Sequence, residues 1–204
     1  MNKTMLPPNG GPRADFALIA GWIAPGARVL DLGCGDGSLL AYLRDARNAE
    51  GYGVDINDAD ILACTQKGIS AIQMNLEEGL SIFGDNSFDY VILSQTLQTV
   101  MHVEGLLQEI LRVGKQGIVT FPNFSYWHRR WQIMMGHMPV SEDLPYQWFN
   151  TPNIHLCTVK DFDAFCGSRS IRVLERAVLT DGRPVEFLPN LLGSLAVYRL
   201  SRLS

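Results

Sequence analysis

The sequence predicts an α/β fold with a mostly parallel central sheet, helices on both faces and a C-terminal antiparallel hairpin. Three observations carry this reading. Short apolar, β-branched runs alternate with segments of helical periodicity from Ala27 to Pro122. The first run ends in an aspartate and passes directly into a glycine-rich turn, "VLDLGCGDGSLL", residues 29–40. The last two runs, 171–179 and 194–200, are joined by a Gly/Pro-containing stretch without helical pattern. Strands that alternate with helices form parallel sheets, and ligands of such sheets bind at the carboxyl ends of the strands.

Pro7, Pro8, Gly10, Gly11 and Pro12 prevent any regular element over residues 1–12, which are expected to form a loose arm before a single domain spanning 13–204. Phe16, Ala17, Ile19, Ala20 and Ile23 recur at helical spacing and are closed by Pro25-Gly26. "ARVLDL" is a buried strand, and "SLLAYLRDA" beyond the glycines is a helix. "YGVDI" is a second strand ending in an acid. "DADILACTQKG" is a helix with a capping acid at its start and Gly68 at its end, and "SAIQM" is a third strand. "NSFDYVILS", after the turn residues Gly84, Asp85 and Asn86, is a fourth; "VEGLLQEILR" is helical, and "QGIVTFP" is a fifth strand stopped by Pro122. The alternation breaks over residues 122–160, where three of the four tryptophans gather, so an inserted lid is expected there. "KDFDAFCGS" then resumes as helix before the two terminal strands.

The 204 residues suffice for one domain with a sizeable core, and 47% hydrophobic with 19% charged residues is an ordinary globular balance. A net charge of −4 without a Lys/Arg run lacks the footprint of a nucleic-acid binder and disfavours anionic membranes. No apolar stretch approaches the roughly 20 residues of a membrane span, and the N-terminus has no signal-like apolar region, so a cytoplasmic protein without nucleic-acid or membrane partners is expected. Cys34, Cys64, Cys157 and Cys166 lack the spacing of a zinc site and read as reduced structural thiols; no metal is expected.

Glycines between a strand and a helix usually hold a nucleotide cofactor. A dinucleotide would bring a pyrophosphate, which the N–H groups of the turn favour and carboxylates oppose. Asp31 and Asp36 sit inside this turn; Gly33, Gly35 and Gly37 read G-x-G-x-G, without the third glycine at the dinucleotide position, and no Gly-Lys-Ser/Thr follows. S-adenosylmethionine has no phosphate and carries two positive groups, which an acid in the turn attracts. Asp55, 22 residues after Gly33, stands where an acid accepts hydrogen bonds from ribose hydroxyls.

"VLDLGCGDG", "GYGVDI", "DNSFDYVILSQTLQ" and "EILRVGKQGIVTFPN", in that order, resemble the class I S-adenosylmethionine-dependent methyltransferases, whose fold is Rossmann-like. The resemblance implies that Asp31, Gly33, Cys34, Gly35 and Gly37 line the methionine moiety of S-adenosylmethionine or S-adenosylhomocysteine, Asp55 and Ile56 the ribose, and Asn75 and Leu76 the adenine. Gln95, past the fourth strand, is placed by it near cofactor or acceptor. The family more often has aspartate at the position of Asn75, but either side chain accepts from the adenine amine. "GIVTFPNFSYWHRRW", "MPVSEDLPYQWFNTPNIHLCT" and "LPNLLG" extend the likeness, from about Arg13 to the C-terminus, to the methionine biosynthesis protein MetW family. That resemblance implies a role in methionine biosynthesis, acting with or regulating homoserine O-acyltransferase, and it supplies no methyl acceptor.

In the insertion, His155 is the candidate general base; its alternative role is to tie the insertion down through hydrogen bonds. Tyr126, Trp127, Trp131 and Trp148 are candidate acceptor or lid residues, against the alternative that they form the lid's own core. Arg129 and Arg130 read as a solvated face, with an acceptor carboxylate or partner acid as the other use. "FPNF", residues 121–124, departs from the Asn/Asp-Pro-Pro-aromatic motif of amino-group methyltransferases: a proline is missing and it follows the fifth strand. Either the chain methylates a small metabolite, or it is a binding module through which the cofactor level sets the acyltransferase's activity.

Overall fold

The computed structural model describes residues 13–141 and 144–203, so the arm expected over residues 1–12 lies outside the described residues. The chain divides into two compact units, Met1–Ser94 with His102–Ile118 and Gln95–Met101 with Val119–Ser204.

The first unit contains α1 (Ala14–Trp22), β1 (Arg28–Leu32), α2 (Ser38–Arg47), β2 (Glu50–Asp55), α3 (Asp58–Gln66), β3 (Ser70–Gln73), β4 (Phe88–Ser94) and α4 (Val103–Val113), and β5 (Gly114–Pro122) begins in it. Its strands run in the order β3-β2-β1-β4, all parallel. Because β1 has a strand on each side, Val29, Leu30 and Leu32 are fully buried, and so is the polar residue between them, Asp31. On α2 and α4 the buried residues recur every three or four positions: Leu39, Leu40 and Leu43 on the first, Leu106, Leu107, Ile110 and Leu111 on the second. The cap of α3 is Asn57, whose side chain accepts from Ala59 N at 3.0 Å, not Asp58 as expected; Asp58 lies in the first turn, where its charge meets the helix dipole.

The second unit contains the rest of β5, then α5 (Trp127–Met134), α6 (Val159–Ser168), β6 (Ile171–Thr180), β7 (Arg183–Pro184), α7 (Pro189–Leu192) and β8 (Leu195–Arg202). The order is β5-β8-β6-β7, with β6 antiparallel to both β8 and β7. This is the C-terminal antiparallel hairpin expected, on a sheet otherwise mostly parallel. The connection between β6 and β8 was expected to lack helix; it holds the two-residue β7 and the four-residue α7, both too short to show a period. The core of this unit is aromatic: Phe121, Phe162 and Tyr198 lie 4.7–5.7 Å apart by ring centroid, and the Tyr198 hydroxyl donates to Asp163 at 2.9 Å.

Arg129 is not on a solvated face. It is fully buried, and its guanidinium donates to the carbonyls of Asn123 (2.5 Å) and Ser194 (3.1 Å) and to Ser141 Oγ (3.2 Å). Backbone carbonyls that would otherwise be stranded beneath α5 thus receive a charged donor.

Gly53, on β2 opposite Asp31, shows why a strand interior here carries glycine. A Cβ at this position would lie 2.6 Å from Cys34 Sγ and 3.3 Å from Ala71 Cβ. Gly53→Ala is expected to destabilise the protein by about 1–3 kcal/mol, as overpacking does, and Cys34→Ala in the same chain to recover much of that loss. Urea unfolding of the wild type, the two single variants and the double variant checks this; additive losses would refute the contact.

Candidate functional site

β1 ends at Leu32 and α2 begins at Ser38, and the five residues between them reverse the chain through three left-handed glycines: Gly33 (φ 71°), Gly35 (52°) and Gly37 (73°). At Gly37 a side chain is excluded twice over, since a Cβ would also sit 2.8 Å from Cys64 Sγ. The turn is strapped to β2. Gly33 N and Cys34 N both donate to the Val54 carbonyl, at 2.8 and 3.0 Å, and Gly35 N donates to Asp55 Oδ2 at 2.9 Å. Gly37 N turns back to the Cys34 carbonyl at 3.0 Å, and Ser38 N to Asp36 Oδ1 at 3.1 Å.

Three carboxylates edge this turn, each with a different set of hydrogen-bond partners. Asp36 accepts from the Lys67 ammonium (2.7 Å) and from Ser38 Oγ (2.8 Å). Partial burial disfavours its charge, but Lys67 and Ser38 outweigh that and hold its pKa below the usual range. Asp55 receives Gly35 N on one oxygen and Asn57 N (3.0 Å) on the other. Each oxygen keeps one acceptor site. Asp31 is 1% exposed, and its Oδ1 has no hydrogen-bond partner among the described residues. Burial pushes its pKa up to about 7, helped by the nearby charges of Asp55 and Asp15 and opposed by Arg13. Beneath the turn, the sulfurs of Cys34 and Cys64 lie 3.8 Å apart, both free thiols, and burial raises the pKa of each.

Of the other residues expected at a cofactor site, Ile56 follows Asp55 with its side chain 64% exposed. Asn75 caps a short 3-10 turn beginning at Leu76, accepting from Glu77 N at 3.1 Å, so one of its acceptor sites is already used. Gln95 belongs to the second unit, where it is held at φ 52°, an uncommon backbone for a side chain of this size, by its N–H donating to the Thr120 carbonyl at 3.0 Å.

In the second unit, the Gln98 carbonyl accepts from the backbone of both Ile154 (2.7 Å) and His155 (3.0 Å), and the exposed His155 ring places Nε2 3.3 Å from the Met101 carbonyl. All three contacts tie the 154–155 segment to residues 98–101. Tyr126 is half-buried; Trp127 and Trp131 are exposed, and Trp148 is 72% exposed. Tyr126 meets Trp127 edge-on, and Trp148 meets Phe149. Asn123 of "FPNF" uses its whole hydrogen-bonding capacity internally. Its amide donates to the carbonyls of Asn190 (3.1 Å) and Gly193 (2.7 Å), and its Oδ1 accepts from Ser125 N (3.2 Å) and Val159 N (3.3 Å). The motif is a structural junction. Arg13 and Asp15, which sequence reading did not single out, stand close enough to Asp31 to act on its charge. Their only sequence signal is a charged pair at the mouth of an apolar helix.

Comparison with known proteins agrees with this geometry. Residues 13–200 match the family model described as methionine biosynthesis protein MetW. The chain is 38% identical over 195 residues, 88% of its length, to the bifunctional methionine biosynthesis protein MetXA/MetW of Rhodopirellula baltica, of which it covers 31%. It spans less than half the length of the curated relatives it matches, sterol 24-C-methyltransferase of Schizosaccharomyces pombe among them. Among solved structures, an S-adenosylmethionine-dependent methyltransferase from Archaeoglobus fulgidus superposes with a TM-score of 0.69 at 16% identity, covering 93% of this chain and 92% of that one. Another, from Mesorhizobium loti, gives 0.68 at 17% identity over 93% and 98%. The architecture is therefore that of the class I methyltransferases, and with the match running nearly end to end, the chain belongs to the methionine biosynthesis protein MetW family.

Proposed function

We propose that the glycine turn binds S-adenosylmethionine or S-adenosylhomocysteine, and that the protein works in methionine biosynthesis with homoserine O-acyltransferase, as a sensor of the cofactor's level. One observation carries the cofactor assignment: the N–H groups of residues 33, 34, 35, 37 and 38 all have acceptors within the chain, and carboxylates edge the turn. A diphosphate would meet negative charge and find those five donors already used. A ligand that brings an ammonium and a diol finds what it needs: the unpartnered oxygen of Asp31 and the remaining acceptor sites of Asp55. When bound, S-adenosylmethionine supplies an electrophilic methyl group.

The sensing role is supported by the relative that joins MetXA and MetW in one chain, since fusion keeps two proteins at high effective concentration. It is supported as well by Trp127, Trp131 and Trp148, which are turned to solvent. Exposed aromatic surface suits contact with another protein better than enclosure of a small acceptor. Regulation also requires that the acyltransferase distinguish the cofactor-bound form from the free one.

Calorimetry with S-adenosylhomocysteine and with NAD tests the cofactor. The first is expected to bind, the second not, and Asp55→Ala to weaken binding by about 10- to 100-fold, the worth of hydrogen bonds to a charged group. Incubation with methyl-labelled S-adenosylmethionine and a metabolite extract, with and without the acyltransferase, tests the role. Altered acylation without labelled product fits the sensor, whereas label in a small molecule would show a methyltransferase instead.

Asp31 adds a pH dependence. Its folded pKa of about 7 lies above the ordinary 3.8, so its protonated form is the one the fold tolerates. Its contribution is fully present below the unfolded pKa and is lost as pH rises through the folded one. Melting temperatures of wild type and Asp31→Asn are therefore expected to diverge, to the wild type's disadvantage, from about pH 4 to about pH 7 and to hold a constant gap above that. A gap independent of pH would show that Asp31 is not the titrating group.

A further inference from the structure

α5 is built inside out. Its fully buried residue, Arg129, is charged, and the half-buried Gln132 donates to the Val140 carbonyl at 3.1 Å. The apolar residues face outward: Trp127, Trp131 and Met134 are 48%, 55% and 76% exposed. Residues four and seven positions apart share one side of a helix, so these three form a single stripe, and Arg129, two residues from either tryptophan, lies behind it. A surface helix normally buries such a stripe against its own domain. Here the inward side is taken by a guanidinium that serves the carbonyls of Asn123 and Ser194, and turning the stripe inward would strand them.

The apolar surface runs past both ends of the helix. Met135 and Met138 follow it, both exposed. At the other end the Phe124 N–H donates to the Cys157 carbonyl at 2.9 Å, which brings the exposed Leu156 beside the start of α5. Tyr126 and His128 meet the Trp127 ring edge-on, at 6.0 and 5.5 Å between centroids, and hold it in place. All of these residues belong to the second unit. Fixed tryptophans beside adaptable methionines are the composition of a protein-contact surface.

Charge narrows what can cover the stripe. Arg130 and His128 flank it on opposite edges, both exposed, and the exposed His137 follows. No Asp or Glu occurs over residues 122–141, in a chain whose net charge is −4. A second copy docking on this stripe by two-fold symmetry would bring like charges together, with no carboxylate from the segment to answer them. A partner whose apolar groove is edged by carboxylates answers both the stripe and its flanks.

We propose that the Trp127, Trp131 and Met134 side of α5 is the docking face for homoserine O-acyltransferase, received in an apolar groove of that enzyme with Asp or Glu at the rim. This rests on the partner reading above and deepens it. The relative that joins MetXA and MetW in one chain favours this occupant over other acidic proteins, since fusion keeps the two within reach of each other.

Calorimetry of the full chain with purified homoserine O-acyltransferase tests this, with thermal melts to confirm that each variant is folded. Trp131→Ser/Met134→Ser is expected to weaken binding by about 30-fold or more, as loss of a buried anchor does. Arg130→Glu is expected to weaken it by about fivefold or more, and the wild-type affinity to fall as salt rises. Leu62→Ser, which removes a similarly exposed side chain from α3 in the first unit, is expected to stay within about twofold. Unchanged binding by the double variant, an equal loss in Leu62→Ser, or unchanged or tighter binding by Arg130→Glu would each overturn the proposal and leave the partner reading intact. A wild type that dimerises in sedimentation velocity, with dimers that Trp131→Ser/Met134→Ser dissolves, would assign the stripe to a second copy and overturn it too. A wild type that does not bind the acyltransferase would overturn the partner reading, and this proposal with it.

Discussion

The Val54 carbonyl accepts two consecutive backbone N–H groups, those of Gly33 and Cys34, and on this the site in the first unit depends. With Gly35 N held by the next residue, Asp55, the turn is bound to the end of β2 before any ligand arrives. Three left-handed glycines make so short a reversal possible. The reversal spends the donors that a phosphate would need and leaves carboxylate oxygens in their place. One local hydrogen-bonding pattern therefore fixes the shape of the turn and leaves carboxylate oxygens at its edge. Since the pattern is complete without a ligand, little ordering would remain to be done if one bound.

The same logic of satisfied and unsatisfied groups separates structure from function elsewhere. Asn123 and Arg129 are buried and polar, but their bonds go to named carbonyls, N–H groups and a hydroxyl in the second unit, so their role is architectural. Asp31 is equally buried and its Oδ1 has no such partner. A polar atom that the fold leaves unserved is the better guide to a binding role, because the cost of burying it must be met by something else.

What was legible in the sequence was what depends on local period and spacing. The alternation of strands and helices, the glycine turn, and the placing of Asp31 and Asp55 on adjacent strands follow from patterns only tens of residues long. Contacts that join distant segments were not legible. Arg129, in "WHRRW", looks solvated beside Arg130 and is buried because it answers the Ser194 carbonyl, far along the chain. Arg13 donates to Ser94 Oγ, and nothing in the residues around either announces the other. The α3 cap fell to Asn57 although Asp58 is an equally good cap by type, since the exit of β2 at Asp55 decides which residue is left extended. The four-residue α7 is shorter than the window any periodicity needs. His155 was legible as a residue type but not as a geometry: its backbone and ring both meet the 98–101 segment.

The sulfurs of Cys34 and Cys64 lie directly under the glycine turn, 3.8 Å apart, and both keep their protons because desolvation disfavours the thiolate. Nucleophilicity resides in the thiolate, so this pair is chemically quiet where a reactive cysteine would be a hazard. An alkylating small molecule lodged above the turn would find soft, polarizable packing atoms and no attacking group.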